Sequence, residues 1–378
     1  MLLLFLTFFS FLLLSWAIYK VKLVYQIGSS EQNRLFLVMC LGYLTVLACF
    51  RGMNVGNDTR SYYNLFLFYT TGQGTVRDIS SAGLRWMSNI EIGYRLLNKY
   101  FGAICHNYQV FISFIAIISY WVLGRFIRKY SSNAALSAIL VFLMFYSSYM
   151  NLLRQMIALS IVLLAFDALN KNKNSCFIIS VLAATILFHR SAIICLLLLP
   201  MSRGKCSKKF VYISIAITAL IVSLGQIPAV ISAFNITTSY TEISAGSGVV
   251  FSIIKNFAVL MFSWYLTNTR FTNTSNRRND SELNPEIADN LISWIPLICL
   301  LISVCALGMP IATRFELYFN IFLIVLIPRM ITTSTRMPSN IRVVVNILLL
   351  TLLIYNAGKI IYRPEWVTEF SYDPFWIK

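Results

Sequence analysis

The chain reads as an all-α, polytopic integral membrane protein with about 10–12 transmembrane segments, each crossing needing ~20 apolar residues. Three observations carry this. Of 378 residues, 58% are hydrophobic and only 12% are charged, and the mean hydropathy of +0.72 is unlike that of a soluble domain. Apolar runs of near-crossing length recur along the sequence. Lysines and arginines gather in short loops between alternate runs, the asymmetry that orients membrane helices. The alternating apolar and polar strands of an outer-membrane barrel are absent from the sequence.

The apolar segments fall near residues 1–19, 35–50, 108–124, 133–150, 155–170, 176–200, 210–233, 249–268, 291–309, 315–328 and 343–357. The first lacks a basic leader and a small-residue cleavage site, and Lys20 and Lys22 follow it, so it is expected to be retained as a helix. The eight cysteines form no CxxC pair. Cys40, Cys49, Cys195, Cys299 and Cys305 lie inside apolar runs, where cysteine behaves as a small core residue. The net charge of +17 is spread over many short loops and forms no basic, aromatic-interleaved surface, which excludes a nucleic-acid partner.

Basic residues assign the sides. Lys20, Lys22 and Arg34 separate the first two segments; Arg125, Arg128 and Lys129 follow the third; Lys171 and Lys173 follow the fifth. Arg203, Lys205, Lys208 and Lys209, then Arg270, Arg277 and Arg278, then Arg329, Arg336 and Arg342, mark further alternate loops. These loops are expected in the cytoplasm, with both termini outside. Segment 176–200 breaks the pattern. Basic loops flank it on both sides, yet it is too short to cross twice at ~20 residues per crossing. Its middle reads Leu187-Phe188-His189-Arg190-Ser191, which suits two half-helices meeting at His189 inside the protein. One ordinary span, with one loop placed on the wrong side, is the alternative.

The chain is expected to form a single membrane domain over 1–378. An external loop, 52–106, would carry a short interfacial helix from Glu91 to Phe101, where apolar residues recur at helical spacing. A cytoplasmic loop, 269–290, reads as a solvated connector.

The stretch Phe50 to Tyr63, FRGMNVGNDTRSYY, concentrates the unusual chemistry. Gly52 and Gly56 let the backbone bend sharply or approach a ligand, while Arg51, Asp58 and Arg60 place charge at the membrane face. Later external turns add Glu91, Arg154 with Gln155, and Arg314. Arg51, Arg154 and Arg314 suit planar, bidentate recognition of a phosphate or pyrophosphate headgroup; each alone also fits an arginine snorkelling to lipid headgroups. Asp58, Glu91 or His189 could accept a proton from a sugar hydroxyl. The acids equally fit ion pairs with Arg51, Arg60 or Arg95, and His189 fits a neutral histidine bonding a carbonyl freed by the helix break. Lys255, inside an apolar span, neutralises an acid or faces a cavity. No P-loop, dinucleotide-binding glycine pattern or zinc spacing is present, so no cofactor and no metal are expected.

In order, Arg51…Gly56-x-Asp58…Tyr62, Glu91-x-Gly93-Tyr94, Leu153-Arg154-Gln155-x-Ile157-Ala158, Phe188-His189-x-Ser191-Ala192 and Arg314-x-x-x-Tyr318-Phe319 resemble the EpsG family of Wzy-like polymerases. These act on repeat units of O-antigen, capsule and exopolysaccharide. Asn54, Val55 and Asn57 make the first motif richer than a bare Gly-x-Asp core. The resemblance implies an inner-membrane enzyme of bacteria whose site faces the periplasm. It implies glycosyl transfer between undecaprenyl-pyrophosphate-linked glycans without a nucleotide sugar. Asp58, Glu91 and His189 would then be catalytic, with Arg51, Arg154, Gln155, Arg314, Tyr62 and Tyr318 binding the substrate. The implied partners are the lipid-linked oligosaccharide, membrane lipids, a chain-length regulator and a flippase. Two other functions stand beside it: a flippase of the same lipid-linked glycans, which a broken helix also suits, and a ligase passing finished glycan to another acceptor.

Overall fold

A computed structural model describes residues 29–71, 90–223, 247–268, 282–307, 312–333, 340–362 and 368–376, with parts of 3–16. Residues 72–89, 224–246 and 269–281, the last within the expected connector 269–290, lie outside the described residues, as does Arg336. The described residues are helical with no β-strand, apart from one isolated bridge between Arg51 and Pro374.

Thirteen α-helices follow one another among them. They are α1 (Ser29–Cys49), α2 (Thr59–Thr71), α3 (Ile92–Ile104), α4 (Tyr108–Tyr130), α5 (Ala134–Asn151), α6 (Leu153–Asn170) and α7 (Asn174–Leu187). After a 3₁₀ segment, Arg190–Leu197, come α8 (Leu198–Arg203), α9 (Lys208–Ser223), α10 (Ser247–Asn268), α11 (Pro285–Cys305), α12 (Thr313–Thr333) and α13 (Asn340–Tyr362). Five are long and apolar enough to cross a membrane: Glu31–Cys49 within α1, then α4, α5, α6 and α11. The molecule is an all-α polytopic membrane protein.

Local chemistry sets the ends. Asn107 begins α4, its side chain accepting from the Gln109 and Val110 amides. Asn133 does the same for α5 through Leu136, and Asn284, followed by Pro285 at the first helical position, does so for α11. Asparagine is a strong N-cap and proline there loses no helical hydrogen bond. Asn172 takes a positive φ of 57° between α6 and α7, the left-handed residue that closes a helix C-terminus.

The core is the shared face of α1, α4, α5, α6, α11 and α12, filled by Phe126, Phe142, Phe166, Phe319 and Phe322 among others. At one end Asp167 of α6 meets Arg125 at 2.5 Å and Lys129 at 2.9 Å, and accepts the Tyr130 hydroxyl. The Glu282 amide there donates to the Lys129 carbonyl at 2.9 Å. The basic loops after α4 and α6 therefore share one end of the bundle. Arg51, Asp58, Glu91 and Arg154 gather at the opposite end.

Segment 174–203 is the expected broken hairpin. Helix α7 leaves the Asp167 end and stops at Leu187. Its 14 residues reach about 21 Å at 1.5 Å each, short of the ~30 Å hydrocarbon core. His189 is extended, at φ −158° and ψ 117°, and the 3₁₀ segment with α8 returns to the start of α11. There the Ser202 carbonyl accepts from Asn290 at 2.8 Å and the Gly204 carbonyl from the Trp294 indole at 2.6 Å.

Lys255 of α10 neutralises an acid, as the sequence allowed. Its Nζ lies 3.2 Å from Glu316 Oε1 in the first turn of α12. Asn256 (2.8 Å), Asn320 (2.6 Å) and Ser303 (2.8 Å) donate the remaining hydrogen bonds to that carboxylate. The network fixes the turn that also bears Arg314. Lys255→Met leaves Glu316 charged and buried, so it should destabilise the fold by about 3–5 kcal/mol. Adding Glu316→Gln should recover most of the loss, as read by thermal unfolding in detergent.

Candidate active site

The site is built from four helix starts and the hairpin tip. The turn 52–58 leads into α2, and the Asp58 carbonyl accepts the first helical bond, from the Tyr62 amide at 3.0 Å. Gly56 holds φ +86° here, a left-handed conformation natural to glycine. Leu152 alone separates α5 from α6, so Arg154 falls in the first turn of α6. Arg314 is the second residue of α12. A cation at a helix N-terminus opposes the macrodipole, so an acid or an anionic ligand nearby is favoured.

Glu91 supplies that acid for Arg154. Its Oε2 meets Arg154 Nη1 at 2.5 Å, with both side chains largely buried. Its Oε1 accepts from the Arg190 amide at 3.3 Å, just past His189. Arg154 also lies within electrostatic reach of the Tyr62 hydroxyl, and burial pushes the Tyr62 phenol up. Glu91 therefore pairs with Arg154, not with Arg51, Arg60 or Arg95 as the loop sequence allowed. Gly93 permits the arrangement: a Cβ there would meet the Leu187 carbonyl oxygen at 2.5 Å, so only glycine lets α3 approach the hairpin tip.

Asp58 has a different environment. It is half-buried, and no hydrogen bond reaches its carboxylate among the described residues. Burial raises its pKa above the ordinary carboxylate range, against the opposing pull of Arg314 and Arg154. His189 lies within electrostatic reach of the same two arginines, its Nδ1 2.5 Å from Ser191 Oγ. Gln155 is buried and donates to the Arg314 carbonyl at 2.6 Å, tying α6 to α12. Tyr318, one turn below Arg314, is buried beside Ser191.

The structure thus brings together Asp58, Tyr62, Glu91, Arg154, Gln155, His189, Arg314 and Tyr318. A sequence model of the EpsG family matches residues 33–373. The chain belongs to the EpsG family. Neither a curated protein nor a solved structure matches it. As a family of Wzy-like polymerases, EpsG gives the chain a role in polysaccharide polymerisation.

Arg51 of this EpsG-family chain stands apart from the cluster. It is 1% exposed, with Nη1 3.6 Å from Met150 Sδ and with Tyr108, Tyr120 and Tyr146 within electrostatic reach. Its Nε and Nη2 are buried without a hydrogen-bond partner among the described residues.

Sequence reading missed two contributors. The Arg190 amide anchors Glu91 through a backbone group that no residue type announces. Residues 368–376, more than 300 positions from the Arg51 turn, lie against it: the Gly52 amide donates to the Asp373 carbonyl at 2.7 Å, and the Phe375 amide to the Phe50 carbonyl at 3.0 Å. The aromatic run near Phe375 and Trp376 was the one available signal, since both rings meet Phe50.

Proposed function

We propose that the chain is a membrane-embedded glycosyltransferase that polymerises oligosaccharide repeat units carried on undecaprenyl pyrophosphate, at the periplasmic face of a bacterial inner membrane. The observation that carries this is the meeting of Arg154 and Arg314, each at a helix N-terminus, with the partly buried carboxylate of Asp58. Guanidinium groups and the positive ends of two helices favour a pyrophosphate. Negative charge grows on that group as the glycosidic bond breaks, so groups placed to receive it lower the barrier.

Asp58 takes the proton from the acceptor hydroxyl, whose oxygen attacks the anomeric carbon of the donor sugar. The bond to the pyrophosphate breaks, and the carrier leaves with the electron pair. Glu91 has both oxygens engaged and serves to orient Arg154; His189 stands as the second candidate base. Gln155 holds the Arg314 carbonyl, Tyr62 lies beside Arg154, and Tyr318 lines the binding region. Neither a metal nor another cofactor enters these steps. The lipid-linked oligosaccharide is the substrate, with surrounding lipids, a chain-length regulator and a flippase as partners.

A flippase would spread its polar groups along a path through the bundle. Here Asp58, Glu91, His189, Arg154 and Arg314 share one end, which favours chemistry over transport. Deleting the gene tests the reading by gel display of the surface glycan. A polymerase predicts collapse of the ladder to a core bearing one repeat unit. A ligase predicts long chains retained on the carrier, and a flippase predicts single lipid-linked units trapped on the cytoplasmic face of the membrane.

A further inference from the structure

We propose that Thr368 is a positioning residue for Asp58, and that residues 368–376 form a strap completing the site from the far end of the sequence. The inference rests on the reading of Asp58 as the proton acceptor.

Two consecutive amides precede Asp58, and each is held from outside the turn. The Gly56 amide donates to Thr368 Oγ1 at 3.1 Å. The Asn57 amide donates to Asn151 Oδ1 at 2.5 Å. The Thr368 hydroxyl donates in turn to Asn57 Oδ1 at 2.8 Å, so one hydroxyl grips both residues. Asn151 Nδ2 donates to Glu369 Oε2 at 3.2 Å and to the Ser147 carbonyl at 3.0 Å, which orients its oxygen toward the turn. Glu369 is fully buried, and its carbonyl accepts from the Tyr146 hydroxyl at 3.2 Å.

The rest of the strap clamps the other end of the turn. Besides the bonds at Gly52 and Phe50, the Tyr372 hydroxyl donates to the Leu47 carbonyl at 2.9 Å. Phe375 stacks on Phe50 with ring centroids 6.1 Å apart. A glycine-bearing turn is otherwise free to sample many conformations, and a proton acceptor works only within hydrogen-bond reach of its proton. The strap removes that freedom. Among the described residues no hydrogen bond or ion pair joins Asp58 to the strap, so the effect passes through the two amides.

Thr368→Val is nearly isosteric and removes both hydroxyl bonds, whereas Thr368→Ser keeps them. The test uses the full chain reconstituted in liposomes, with lipid-linked oligosaccharide purified from cells lacking this gene. Thr368→Val should lower kcat about 10–100-fold with KM little changed, as expected for a catalytic group misplaced by about 1 Å. Thr368→Ser should restore kcat. Hydrogen exchange of the amides at 52–57 should quicken in the valine variant and not in the serine variant, a readout that needs no turnover.

Faster exchange with unchanged kcat would make the strap merely structural and overturn the proposal. A loss confined to KM would overturn it too, by placing Thr368 in substrate binding. Thr368→Ala also lacks the hydroxyl, so its kcat, KM and exchange rates decide the matter in the same way should the valine variant fold poorly. An Asp58→Asn variant that turns over like wild type would remove the base reading and the proposal with it, a failure visible in that variant alone.

Discussion

Asp58→Asn should stop chain growth while leaving the protein at least as stable as wild type. General-base catalysis contributes roughly 10²–10⁴-fold, and asparagine cannot accept the proton. The stability half follows from the direction of the shift. Burial raises the Asp58 pKa, so its contribution to stability is complete below the unfolded pKa and is lost as pH rises through the folded one. At neutral pH the charge works against folding, and removing it costs nothing. The same shift sets the pH profile: turnover should fall as pH drops through the raised Asp58 pKa, at a higher pH than an ordinary carboxylate would give. Gel ladders, thermal unfolding and a pH series check the three outcomes. Wild-type ladders from a well-expressed Asp58→Asn protein would pass the role to His189.

Arg154→Lys should lower turnover on the order of 10²-fold, the effect of losing one transition-state donor. Lysine keeps the charge but loses the fork that serves Glu91 and a pyrophosphate together. The control is Glu91→Gln, which keeps Arg154 intact and removes only the carboxylate charge. If Glu91 acts by orienting Arg154, that variant should lose less than Arg154→Lys. Equal and severe losses at unchanged protein level would return Glu91 to the candidate bases. A normal ladder from Arg154→Lys would reduce Arg154 to an arginine anchored at the membrane face.

The fold class was legible because it rests on long-range averages: apolar length, loop charge, and one short segment between two basic loops. The hairpin at His189 came from the conflict between that length and those charges, and the structure resolves it with the predicted break. The cluster was legible as an ordered set of charged residues beside apolar runs. Its pairings were not. Glu91 chooses Arg154 over the nearer Arg95 because α3 is brought to the hairpin tip through Gly93, a tertiary fact with no local trace. Arg51 looked like part of the same charged turn. The backbone reverses between it and Asp58, and the two side chains end in different surroundings. The strap was not legible because its partners lie far away in the sequence, and two of its bonds join backbone amides and carbonyls, which every residue carries.

Whether this chain alone joins lipid-linked repeat units, without a nucleotide sugar, is open to direct measurement. The purified protein is reconstituted in liposomes with only lipid-linked single repeat units, and the products are displayed by size. A polymerase of this kind gives a ladder from the wild-type protein, release of the free pyrophosphate carrier with each step, and no ladder from Asp58→Asn. Single units left unextended by active, folded protein, or extended only when a nucleotide sugar is added, would contradict it.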